Sequence, residues 1–264
     1  MGIEGICALC KRVSHLQDSH LMPKALYRML RSSELVNPNP ILMSKNFIRR
    51  TSRQVKTFLL CSGCEQRFHH NGENWMLRNC CRAPDDFRLR DTLLQCCPGY
   101  HDGQISVYAA RNVAQVDTAK LVYFAVSVFW RAAVGRWVVE STRLEPLEFG
   151  RNYCEQFRYF LLDEGDFPAH AAITTEILAF HEPSLGTAVF PYGGRTAEFH
   201  FYSFAVPGVR FDLFVGKRIP PEALRMCTFR SPERLVMLTN GSLIREVGGM
   251  LARERLSGLM KTIS

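Results

Sequence analysis

The chain has 264 residues, 47% of them hydrophobic and 22% charged, with a formal net charge of +8; such a composition buries a sizeable core and excludes a disordered chain. The most apolar stretch, residues 121–139, contains Arg131 and Arg136, so it reads as a buried helix and not as a membrane span, which needs about 20 nearly uninterrupted apolar residues. Residues 1–98 hold 15 Lys and Arg against 8 Asp and Glu, while the remainder holds 18 against 17; the basic half points to nucleic acid as a partner, or else to a solubilising surface.

The start, Met-Gly-Ile-Glu-Gly-Ile-Cys7, lacks the basic, apolar and small-residue pattern of a secretory signal, so a cytoplasmic location is expected. In a long, unsecreted chain the ten cysteines favour metal binding over a disulfide framework wherever they cluster. Cys7-Ala-Leu-Cys10 and Cys61-Ser-Gly-Cys64 are two C-x-x-C turns. Each turn lets two sulfurs reach one ion at about 2.3 Å, and two of them complete a tetrahedral zinc shell. The 50 residues between the turns make the pairing a tertiary prediction. The adjacent pairs Cys80-Cys81 and Cys96-Cys97 read as buried thiols.

In chain order, Pro23 opens a helix through Leu30, with Leu26, Met29 and Leu30 on one face. Asn37-Pro-Asn-Pro forces a loop. The basic residues Lys45, Arg49, Arg50, Arg53 and Lys56 follow; they suit either phosphate contacts, to DNA or RNA alike, or a solvated loop. A β-prone run over 55–60 leads into Cys61, and residues 65–77 read as a helix whose first turn favours the Cys64 thiolate. Cys-Cys-Pro-Gly then marks a boundary, dividing a module over 1–98 from a domain over 104–264.

The second segment opens with a strand over 104–109, a long apolar helix over 118–139 and a helix over 153–162. Strands over 174–180, 198–206 and 210–215 follow, the last two joined at Pro207-Gly208. An amphipathic helix over 241–264 closes the chain. Helices followed by strands give an α+β class, with long core helices and antiparallel strands. Homo-oligomerisation, or a protein partner for the C-terminal domain, remains open; Arg131 and Arg136 are candidates for an acidic partner.

Between the knuckles stands Gln17-Asp-Ser-His-Leu-Met-Pro-Lys24. With a C-x-x-C on either side, residues 7–78 resemble the HNH, or His-Me finger, endonucleases of the zinc-bearing branch. Leu-Leu-Cys-x-x-Cys-Glu and a later Ser-x-Phe-Trp-Arg-Ala (Ser127 to Ala132) resemble a pattern of bacterial HNH-like proteins. The resemblance implies a ββα treble-clef module, a phosphodiesterase acting on nucleic acid, DNA first, and a role in bacterial defence or DNA processing. It implies His20 as the base that activates water, and magnesium or manganese at the leaving oxygen. Asp18 shares a strand face with His20, although the usual carboxylate would stand at Ser19. The bracing asparagine has no direct match near Lys56. The helix metal ligand falls near Glu65, with His69 one turn on and His70 and Asn71 as alternates. A catalytically inactive zinc module binding nucleic acid or a protein is the rival expectation.

Overall fold

The computed structural model describes residues 3–31, 39–44, 47–80, 86–179, 187–229 and 233–240; the helix expected over 241–264 lies outside them. β1 (Ile3–Ile6) and β2 (Val13–His20) pair antiparallel. The Cys7–Cys10 turn joins them, with Lys11 in the left-handed region at φ 61°. After α1 (Lys24–Met29), β3 (Ile41–Ser44) and β4 (Phe47–Arg50) pair antiparallel. β5 (Lys56–Cys61) then returns against β2, giving a small sheet in the order β1-β2-β5.

β5 runs directly into α2 (Ser62–Phe68), a π turn over His69–Glu73, and α3 (Asn74–Asn79). The helix expected over 65–77 is therefore longer at both ends and broken in the middle. The break sits where the chain meets the long core helix: a Cβ on Gly72 would lie 2.8 Å from the backbone nitrogen of Phe124. Only glycine allows that approach, and the widened turn fits one extra residue around the contact.

The second segment begins with α4 (Arg88–Gln95), β6 (Tyr100–His101) and β7 (Ile105–Ala109). α5 (Thr118–Val134) follows, capped by Asp117, whose carboxylate accepts from the Lys120 amide at 3.0 Å. Nearly every side chain of α5 is buried, the pattern of a helix enclosed on all sides. It stops five residues short of the expectation over 118–139. Gly135 leaves room for the Trp137 indole, which would lie 2.5 Å from a Cβ there, and Trp137 Nε1 donates to the Arg131 carbonyl at 2.8 Å.

The short pair β8 (Val138–Val139) and β9 (Thr142–Arg143) leads to α6 (Arg151–Leu162). Next come β10 (Ala171–Leu178), β11 (Thr187–Arg195), β12 (His200–Val206), β13 (Val209–Val215), α7 (Pro221–Arg225) and β14 (Leu235–Thr239). Gly208, at φ 74°, makes the tight turn between β12 and β13. The fold is mixed α+β. Its large sheet runs β4-β3-β11-β12-β13-β10-β14-β7-β6, antiparallel except where β10 meets β14 and β11 meets β3. α5 covers one face of this sheet, with Phe129 against Phe204 at 4.8 Å and Phe124 against Phe211 at 5.7 Å between ring centroids. Ile219, Ala223 and Cys227 pack on Ala172.

Strands β3 and β4, from before the 98–104 break, belong to this large sheet, and one hydrophobic cluster includes buried side chains from both segments. Among the described residues no helix is long and apolar enough to cross a membrane. Gly72→Ala forces backbone against backbone, so we expect a loss of about 1–3 kcal/mol, measured by thermal or urea denaturation. Gly63→Ala is the control, because a Cβ there meets nothing within 4 Å and α2 should be unharmed.

Candidate metal centre and its surroundings

The four cysteines come from two backbone turns that the small sheet brings together. Cys7 and Cys10 sit on the turn after β1, and Cys61 and Cys64 at the junction of β5 and α2. Their sulfurs all lie within 4.8 Å of one another, and Cys10 Sγ is 3.9 Å from Cys61 Sγ. A tetrahedral zinc with sulfurs at 2.3 Å separates its ligands by about 3.8 Å, so the cluster can hold one metal ion such as zinc. The thiols are free. Ala8 N donates to Leu59 O at 3.0 Å, tying one turn to the other strand, and the Cys61 amide donates to Cys7 Sγ at 3.3 Å.

Electrostatics also asks for a cation. The Cys64 thiol donates to Cys7, which holds Cys7 down at about 4 and drives Cys64 far up; burial pushes Cys10 up as well. One thiolate therefore suppresses ionisation of its neighbours. A dication at the centre reverses this and deprotonates all four.

His20 ends β2, at the end of the strand away from the cysteine cluster. Its Nε2 is 2.7 Å from Gln54 Oε1, and its carbonyl accepts from Arg131 Nη1 at 2.8 Å. With the amide oxygen facing the ring, Nε2 donates and Nδ1 keeps its lone pair. Gln54 thus braces the histidine from the position where asparagine was sought near Lys56. It was missed because a lone Gln in a polar loop has no spacing signature.

Asp18 forms an ion pair with Lys56, which stands opposite His20 across the strands. A bulge between β2 and β5 falls at Gln17 and Asp18, and Ser19, fully buried beneath it, accepts from the Leu60 amide at 3.1 Å.

Glu65 and His69 lie one helical turn apart, and the His69 amide donates to the Glu65 carbonyl. Glu65 keeps one carboxylate oxygen, Oε1, buried with no hydrogen-bond partner among the described residues. Burial raises its pKa, Ser19, Arg131 and His20 oppose that rise, and Glu73 adds to it. Ser19 is close enough to act on the carboxylate, yet makes no hydrogen bond of normal geometry to it. His69 is exposed, with its ring 5.4 Å from that of His70. No third His, Cys, Asp or Glu among the described residues completes a metal-binding group with them; the four cysteines form the one such group there.

The acidic group that does act here is Glu73. The π turn adds about one residue to the helix path, which rotates Glu73 toward the Glu65 side. Glu73 Oε1 accepts from Arg131 Nη2 at 2.8 Å. Arg131 is 1% exposed, also donates from Nε to Ser127 O at 3.2 Å, and lies 5.3 Å over the Phe68 ring. Arg131 and Ser127 belong to the Ser-x-Phe-Trp-Arg-Ala pattern, so that motif locks the core and does not face an acidic partner. A second buried arginine, Arg158 of α6, donates to Leu9 O at 3.0 Å inside the first knuckle.

Of the basic run, Lys45 lies outside the described residues. Arg49 and Arg50 sit on β4, the edge of the large sheet; Arg50 Nη1 donates to Asn39 O at 3.3 Å. Arg53 is exposed on the loop that carries Gln54, and Lys56 is exposed at the start of β5.

We expect about one zinc per chain by elemental analysis. Cys61→Ser should lose it together with soluble, cooperatively folding protein, since structural zinc contributes on the order of 10 kcal/mol to such a fold. A metal-free, fully folded wild type would overturn this. No family model, no curated protein and no solved structure matches the chain, and its function is therefore read from the geometry of its own residues.

Proposed function

We propose that the protein, stabilised by zinc at the cysteine cluster, binds nucleic acid through phosphate contacts. One observation carries this reading: the basic segment runs from the sheet edge at Arg49 and Arg50 to the exposed Arg53, and the same loop places Gln54 on His20. A backbone held by these cations passes beside the histidine. An edge strand also offers an uninterrupted line of approach that a central strand lacks. Phosphate contacts fix position without reading sequence, so DNA and RNA are both candidate ligands.

The HNH resemblance is supported by the order of elements, with a knuckle, a strand ending in His20, a second knuckle and then a helix. It supplies the second reading, hydrolysis of phosphodiesters with His20 as general base. The imidazole braced by Gln54 favours it. The engagement of Asp18 by Lys56 favours a module that binds without cutting.

Neutralising Arg49, Arg50 and Arg53 together should weaken binding at least tenfold and reduce the slope of log affinity against log salt by about three, near one unit for each phosphate no longer neutralised. Fluorescence anisotropy across a salt series measures both. Unchanged binding would place the phosphate-binding surface elsewhere.

Plasmid, single-stranded DNA and RNA incubated with the protein and magnesium or manganese should remain intact under the binding reading. Cleavage that chelator stops and that His20→Ala lowers about 100-fold or more, at unchanged zinc content and affinity, would establish hydrolysis in its place.

A further inference from the structure

A cavity of about 340 Å³ opens between the end of β3, the loop over 145–148 and the hairpin end of β11 and β12. Its volume falls in the range of small-molecule sites. Arg195 pairs across the strands with His200, and Gly193 with Tyr202, so all four residues stand on one face of the hairpin. Gly193 is required there: a Cβ would lie 2.3 Å from the Tyr202 ring. The ring therefore lies flat over the glycine, and its hydroxyl reaches two partners. It donates to the Glu148 carbonyl at 2.7 Å and meets His200 Nδ1 at 2.9 Å.

A tyrosine hydroxyl has one proton. Since Glu148 O takes it, His200 Nδ1–H must be the donor to the hydroxyl, and the neutral ring keeps its lone pair on Nε2. Burial and then the Arg195 charge favour that neutral form, with Glu148 pulling the other way. His200 Nε2 makes no hydrogen bond among the described residues. The cavity thus holds an oriented acceptor at His200 and a donor at Arg195, with Tyr202 in its wall. Glu145 and Glu148 also line it, so the site carries charges of both signs and favours neither a simple anion nor a simple cation.

We infer that this cavity binds a flat, uncharged heteroaromatic ring that presents donors and acceptors on one edge, the chemistry of a nucleobase. Arg and His recognise the edge, and a tyrosine in the wall tolerates any base face. Ser44, which lines the cavity, ends β3, the strand paired with the Arg49 and Arg50 edge. An unpaired base of a strand lying on that edge is the natural occupant. This last step rests on the nucleic-acid reading of β4, whereas the cavity chemistry stands without it.

The test uses full-length, zinc-loaded protein and single-stranded hexanucleotides that carry either 2-aminopurine or an abasic site at one position. The base-bearing strand should bind about tenfold more tightly than the abasic one, with quenched 2-aminopurine fluorescence. Arg195→Ala, at an exposed position, and His200→Leu should each remove that difference while leaving the salt-dependent affinity. In parallel, adenosine and guanosine at millimolar concentration should shift the ring resonances of His200. If the nucleosides shift His200 but no strand binds, the cavity proposal stands and the basic-surface reading fails. If His200 is silent to nucleosides and both strands bind alike, or neither binds, the proposal is overturned.

Discussion

A single buried cation, the guanidinium of Arg131, joins the parts of this protein that carry chemistry. It reaches from α5 to the His20 carbonyl and the Glu73 carboxylate, spanning the end of β2 and the π turn. Burying it unpaired would cost several kcal/mol, and removing one partner of such a pair costs about 3–5 kcal/mol. The π turn brings Glu73 within reach, and Gly72 lets that turn sit against α5. Tight helix packing and placement of the histidine are therefore one constraint: a shift of α5 by a fraction of an ångström would move the anchor on the His20 backbone and the carboxylate that neutralises it.

The small sheet needs outside support of this kind. Three short strands leave Ile3, Ile6 and Val13 exposed, and a core of that size gives little stability on its own. Two devices compensate. The cysteine cluster holds the turns of β1 and β5 together from within, and Arg131 and Arg158 clamp the module to α5 and α6 from outside. The two arginines bond to carbonyls at His20 and Leu9, at the far end of β2 and inside the first knuckle, so the metal-ligand turn and the histidine are held by the same second-segment helices.

Residues whose role is set by local spacing were legible in the sequence. The C-x-x-C turns, the apolar helix around Phe124 and Phe129, and the Pro207-Gly208 turn all follow from short-range chemistry, and the α+β class follows from their order. β11 was not legible, because Pro191, Gly193 and Gly194 read as breakers; the strand survives through a bulge between Val189 and Tyr192 and through the Tyr202 ring over Gly193. β3 and β4 were hidden for another reason, since β3 pairs with β11, roughly 140 residues away in the chain. Alternation along β2 put Asp18 and His20 on one face, but it could not show that Lys56, opposite His20 on β5, would pair with Asp18.

Counting charge by segment carries a related weakness. The basic excess of residues 1–98 includes cations already committed to the fold. Lys56 pairs with Asp18, Arg90 with Asp91, and Arg67 donates to Leu162 O. The surface proposed for a polyanion is a narrower band along β4 and the loop after it, within which Arg50 also donates to Asn39 O. A band that lies on an open sheet edge and ends at an oriented imidazole has a direction as well as a sign, and a diffuse solubilising charge would need neither. The geometry, more than the net charge, therefore favours a linear polyanion as the ligand of this surface.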